Sequence, residues 1–169
     1  NTPEGNVDAV VAMTLADIEY MSSAQFEGQA ALRERRWGKV AWSQHPEIYK
    51  GRTFGVVALG NIGYRVALEI KKRGGNVIGY DPFQKREGIK SAESPEELYR
   101  QSDVITFHPA LNDTSRDMLG EAQFQVLKNG VIIINNARGG VVNEKALLKA
   151  LDEGRVRAAK LDVFTVEKK

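Results

Sequence analysis

The sequence predicts an α/β fold: a parallel sheet doubly wound by helices, with a helical extension ahead of it. Three observations carry this reading. From residue 53 onward, short apolar and β-branched segments alternate with segments of helical period. Those strand segments are apolar throughout instead of alternating, the pattern of parallel strands covered by helices on both faces. A glycine-rich turn also stands between the first strand and the helix that follows it. Six βα units joined by right-handed crossovers give the strand order 3-2-1-4-5-6.

The elements follow in order. Residues 1–52 form the extension and residues 53–169 the sheet domain. Asn6 is placed to cap a first helix, with Val7, Val10, Val11, Leu15 and Ile18 on one face. Ser22 is placed to cap a second, running to about Arg36 and ending in basic residues. Residues 37–52, with Trp37, Trp42 and His45-Pro46, show no period and read as a long loop. Strands are expected at Phe54–Leu59, Val77–Tyr80, Ile89–Ala92, Val104–Phe107, Val131–Asn135 and Val156–Val163. Helices are expected at Ile62–Lys72, from Pro95 to about Gln101, at Gly120–Leu127 and at Glu144–Glu153. Ser94-Pro95-Glu96-Glu97 has the form of a capping box, Asn143 of an N-cap, and Gly74, Gly130 and Gly154 of helix stops.

Composition narrows the function. At 169 residues, one domain is the expected size. With 24 basic against 22 acidic residues, no strong attraction to nucleic acid or anionic membrane is expected. No apolar run approaches the roughly 18 residues of a membrane helix. The absence of cysteine excludes disulfides and thiolate metal sites, and it suits the cytoplasm. No metal is expected. The chain opens on Asn1 with no basic or apolar leader, and this start reads as cut from something longer.

The chemistry begins at Ala58-Leu59-Gly60-Asn61-Ile62-Gly63. A dinucleotide's pyrophosphate rests on a helix N-terminus, where unpaired amides and the helix dipole favour an anion and side chains must be small. Strand and helix flank this turn as such a Rossmann site requires. The first glycine position of the pattern is Ala58, and alanine is expected to make the turn with negative φ. Asp81 follows the second strand, 18 residues after Gly63. An acid there accepts from ribose hydroxyls and repels a 2′-phosphate, which favours NAD over NADP, with Lys85 and Arg86 near enough to offset that repulsion in part.

Several ordered motifs extend the pattern over nearly the whole chain: Asn1–Asn6, Leu59–Gly63, Gly79-Tyr80-Asp81-Pro82, Ser102–Thr106, Asn135–Val142 and Leu161–Phe164. In these the sequence resembles the D-isomer-specific 2-hydroxyacid dehydrogenases. The resemblance implies the family's NAD-binding domain without the flanking substrate domain. It implies that Arg138 holds the substrate carboxylate and carbonyl, and that Glu167, 29 residues later, orients a catalytic His outside this chain. Asp162 corresponds to an acid near the nicotinamide carboxamide, and Asn136, Ala137, His108 and Pro109 to cofactor-pocket positions. His45 reads as a solvated loop residue. The segment after His108 departs from the family, with Pro109 one place early, Ala110 in its usual slot and Ser115 where Thr is expected.

The chain is therefore expected to bind NAD and not to turn over alone; a non-catalytic, NAD-responsive interaction module is the alternative. A homodimer through the N-terminal segment is expected from its apolar surplus and from the family. The other reading is that those side chains pack onto their own domain.

Overall fold

The computed structural model describes residues 3–23, 25–26, 28–29 and 48–165. Trp37, Trp42, His45 and Glu167, and most of the expected second helix and long loop, lie outside the described residues. The elements are α1 (Pro3–Met21), β1 (Thr53–Val57), α2 (Asn61–Lys72), β2 (Asn76–Tyr80), β3 (Lys90–Ser91), α3 (Pro95–Gln101), β4 (Val104–Phe107), α4 (Glu121–Phe124), β5 (Val131–Asn135), α5 (Glu144–Asp152) and β6 (Val156–Leu161). The sheet has six strands in the order β3-β2-β1-β4-β5-β6, every pairing parallel.

Burial explains why the strands are apolar at every position. Phe54, Val56, Val104, Ile132 and Ile134 enter a core layer beneath α1 and α2. Their chain neighbours Val57, Ile105, Val131 and Ile133 enter a second layer with Leu98 and Tyr99 of α3 and Leu147 of α5. A period of two with both faces covered reads as a continuous apolar run. The edges are weaker. β3 spans two residues, and β6 is half-buried beyond Ala158.

Some local chemistry differs from expectation. Asn6 does not cap α1, which starts three residues earlier at Pro3; proline suits the first turn because the amide it lacks has no partner there. Ser22 is buried at the end of α1, and Ser23 makes the capping contact instead, accepting from Phe26 N at 3.2 Å. Ser94 accepts from Glu97 N at 3.2 Å as a cap should. The Glu97 carboxylate turns outward, accepting from Glu93 N at 2.8 Å, so the box is not reciprocal. Asn143 caps α5, accepting from Ala146 N at 2.9 Å.

The apolar stripe of α1 is spent on its own domain. Val11, Leu15, Ile18 and Met21 are buried in the layer that holds Phe54 and Ile70. Asp8 pairs with Arg65 of α2 at the rim. Helix α1 thus packs on α2 and on β5 and β6 as a layer of the sheet domain.

Candidate functional site

The chain reverses its winding between β1 and β4, so the carboxyl ends of these strands open a crevice, the usual ligand position in a doubly wound sheet. A cleft of about 240 Å³ lies there, with Ala58 and Gly60 at one wall, Asp81 and Phe83 at another, and His108 and Pro109 closing the third.

The glycine turn departs from expectation at Ala58, whose φ is +68°. Two contacts impose this left-handed backbone. Ala58 N donates to Tyr80 O at 2.8 Å, prolonging the β1–β2 ladder by one bond. The Ala58 carbonyl then folds over residue 63, and a Cβ there would lie 2.0 Å from its oxygen. The turn therefore keeps the shape a glycine would make, and alanine bears the strain. Gly60 leads into α2 with no side-chain cap, and a Cβ on it would meet no protein atom within 4 Å. Ungrasped first-turn amides facing open space fit a pyrophosphate. Asn61 is exposed, whereas Ile62 packs against the core.

Asp81 is fixed from several sides. Its Oδ2 accepts from Leu59 N at 2.8 Å and from Gln84 Nε2 at 3.1 Å, and its Oδ1 from Phe83 N at 2.9 Å. Partial burial works to raise its pKa, but these hydrogen bonds outweigh it and hold the carboxyl below its ordinary range. The Leu59 carbonyl accepts from Arg86 Nε at 3.0 Å, and the same guanidinium lies 5.1 Å above the Tyr64 ring. Leu59 is thus held by an anion at its amide and a cation at its carbonyl. Sequence reasoning did not assign Arg86 and Gln84 these roles, because both contacts depend on how β2's exit folds back.

His108 follows β4 directly and is half-buried at the cleft, with Nε2 3.0 Å from Thr106 Oγ1. Burial pushes its pKa down to about 4, so the ring is neutral at pH 7. Beyond Pro109 the irregular segment is closed by its own side chains. Asn112 Oδ1 accepts from Thr114 N, Thr114 Oγ1 and Ser115 N, and Ser115 Oγ donates to Ala110 O at 2.7 Å. The departure at Ser115 therefore leaves a buried hydroxyl that still knots the loop. The Asn-x-Thr-Ser spacing was the available signal for this knot.

At the far end of the crevice, Asn135 shapes the loop after β5. Its Nδ2 donates to Arg138 O at 2.9 Å and its Oδ1 accepts from Ala137 N at 3.1 Å. Arg138 is exposed, and its guanidinium donates to Ala137 O at 2.7 Å. The Asn136 side chain is buried and donates to Thr14 and Asp17 of α1, leaving chiefly its backbone available to a ligand. Asp162 is exposed just past β6, 3.3 Å from Lys160 Nζ. A Cβ on Gly139 would lie 2.0 Å from Phe164 O, so this glycine lets the chain pass over the Arg138 loop. Among the described residues no helix is long and apolar enough to cross a membrane.

A parallel sheet of this order, with an anion-ready helix start and an acid ending the second strand, defines a dinucleotide-binding domain of the Rossmann class. The family model described as D-isomer specific 2-hydroxyacid dehydrogenase, NAD binding domain, matches residues 18–169, and the chain belongs to that family. It is 36% identical over 172 residues to D-3-phosphoglycerate dehydrogenase of Methanocaldococcus jannaschii, covering 99% of this chain and 32% of that protein. It is 37% identical to glyoxylate reductase of Korarchaeum cryptofilum, covering 96% of this chain and 52% of that protein. The chain thus spans about a third to a half of these relatives' lengths. Among solved structures, D-lactate dehydrogenase with NAD+ from Lactobacillus jensenii superimposes with a TM-score of 0.86 at 28% identity, over 98% of this chain and half of that one. A D-isomer specific 2-hydroxyacid dehydrogenase from Xanthobacter autotrophicus in complex with NADPH gives 0.83 at 30% identity, over 95% and 51%.

Proposed function

We propose that this NAD-binding domain serves a D-2-hydroxyacid dehydrogenase resembling D-3-phosphoglycerate dehydrogenase, and that it selects NAD over NADP. The observation that carries the reading is Asp81: a carboxylate kept ionised at the cleft wall, tied by Leu59 N to the glycine turn. Held by the Leu59 and Phe83 amides and by Gln84, this carboxylate stands where it would accept from an adenosine ribose hydroxyl. The first-turn amides at Gly60, Asn61, Ile62 and Gly63 would hold the pyrophosphate. His108 and Pro109 would border the cofactor beyond it, with Ala137, Asp162 and the backbone of Asn136 toward the nicotinamide.

The bound cofactor supplies hydride exchange with C2 of a 2-hydroxy acid. Arg138, always charged and exposed at the loop crest, would hold the substrate carboxylate in a planar fork. Glu167 would orient a histidine contributed from outside this sequence. His108, neutral at pH 7 and bonded to Thr106, is poorly suited to donate a proton there. The lack of cysteine fits a reducing cytoplasm. Two copies would pair through the N-terminal segment, where Tyr20 stays exposed on α1; a monomer at all concentrations in sedimentation would dismiss the pairing.

The test of the cofactor reading is a fluorescence titration with NADH and with NADPH. Saturable and tighter NADH binding is expected. No binding of either by folded protein would overturn the reading, and tighter NADPH binding would overturn the role of Asp81.

A further inference from the structure

Helix α1 presents two polar side chains to the sheet from a face that is otherwise apolar. Thr14 is fully buried and Asp17 half-buried, its side chain 17% exposed, beside Val11, Leu15 and Ile18. Both are used by one residue, Asn136, which lies 119 positions from Asp17 in the sequence. Asn136 Nδ2 donates to Asp17 Oδ2 at 2.9 Å and to Thr14 Oγ1 at 3.3 Å. The Thr14 hydroxyl proton is spent on Val10 O at 2.8 Å, so its oxygen can only accept from Asn136. A carboxylate accepts and never donates, and this fixes which end of the Asn136 amide faces α1. Asp17 Oδ2 also stands 3.9 Å from Lys160 Nζ, and that ammonium reaches Asp162 Oδ1 at 3.3 Å.

We infer that Asp17, seconded by Thr14, is a positioning residue for the nicotinamide end of the bound cofactor: through Asn136 it anchors the loop bearing Arg138, and through Lys160 it steadies Asp162. The inference rests on the cofactor reading above. Packing alone gives no reason for the arrangement. Asn136 Oδ1 is buried without a hydrogen-bond partner among the described residues, and an apolar contact would cover the same surface without orphaning an acceptor. What the polar contact adds is direction. Asn135 curls the loop from inside by bonding Ala137 N and Arg138 O, while Asn136 pins its base to α1. The loop and the β6 exit are then both referred to one carboxylate on a helix outside the cleft.

The experiment compares two ligands on the same chain. ADP-ribose carries the adenosine and pyrophosphate but lacks the nicotinamide. Asp17→Ala should weaken NADH by roughly tenfold, the lower end of what one charge-assisted hydrogen bond is worth, and leave ADP-ribose within about twofold. Asn136→Ala removes the strut from the loop side and should show the same split, so it carries the test if Asp17→Ala fails to fold. A structural defect would weaken both ligands alike. Equal losses for both, or an unchanged NADH affinity, would overturn the positioning role. Failure of the unsubstituted chain to bind either ligand would overturn the cofactor reading itself, and the inference with it.

Discussion

The amide of Leu59 donates to the carboxylate of Asp81 across 2.8 Å, joining the glycine turn after β1 to the end of β2. One side chain therefore shapes the phosphate turn and stands where a ribose would lie. Asp81→Ala should cost affinity twice, through the lost acceptor for the ribose and through a loosened turn. NADH binding should weaken by roughly tenfold, while NADPH loses less because a repelling charge is gone. Parallel titrations measure the ratio. A ratio unchanged from the parent would mean that the carboxylate does not reach the ribose.

Gly60 and Gly63 should answer differently to the same substitution. A Cβ at residue 63 would collide with the Ala58 carbonyl, a backbone atom that is itself held by the turn. Gly63→Ala should therefore lower stability by about 2 kcal/mol or more. A Cβ at residue 60 meets no protein atom, and φ there is −65°, which alanine adopts freely. Gly60→Ala should melt like the parent and yet bind NADH more weakly, because the methyl intrudes where the pyrophosphate needs room. Thermal melts beside NADH titrations separate the two. Unimpaired NADH binding by Gly60→Ala would place the pyrophosphate elsewhere.

Ala58 holds φ at +68°, a conformation costing a non-glycine residue about 1–2 kcal/mol. Glycine relieves that strain but gives the unfolded chain more freedom, worth about 0.5–1 kcal/mol in the other direction. Ala58→Gly should gain a net of about 0.5–1 kcal/mol, or roughly 1–4 °C in Tm for a domain of this size. A lower Tm would show that the Ala58 methyl makes a contact worth more than the strain.

What the sequence made legible is what neighbours in the chain decide. The run Val131–Asn135 reads as a doubly covered strand because each of its residues is buried. The N-caps Ser94 and Asn143 bond amides three residues away, so their spacing announces them. Legibility fails where the partner is distant. The sign of φ at Ala58 is set by Tyr80 and by the collapse onto Gly63, which no local rule contains. The α1 stripe was visible as a stripe, but whether it faced its own sheet depended on β5 and β6. Asn136 matched a cofactor-pocket position, yet its side chain is claimed by α1. The motif specified where the loop runs and left open what each side chain in it does.

His108 gives the domain a built-in acid sensitivity. Its folded pKa of about 4 lies below the ordinary histidine value near 6.5, because burial disfavours the imidazolium. Between those values the unfolded chain binds more protons than the folded one, so stability rises with pH across this window. It is complete above about pH 6.5 and declines as acid carries the solution toward pH 4. Each tenfold difference in proton affinity between the folded and unfolded chain is worth about 1.4 kcal/mol, and a half-buried ring realises only part of it, so the loss is on the order of 2 kcal/mol. His108→Gln can keep a hydrogen bond to Thr106 without carrying a titrating group. Denaturant unfolding at pH 7 and at pH 4.5 should show a smaller drop for the variant than for the parent, by about that amount. Carboxylates contribute to both curves and cancel in the comparison. Parallel curves would mean that the ring meets enough water at the cleft mouth to titrate as an ordinary histidine.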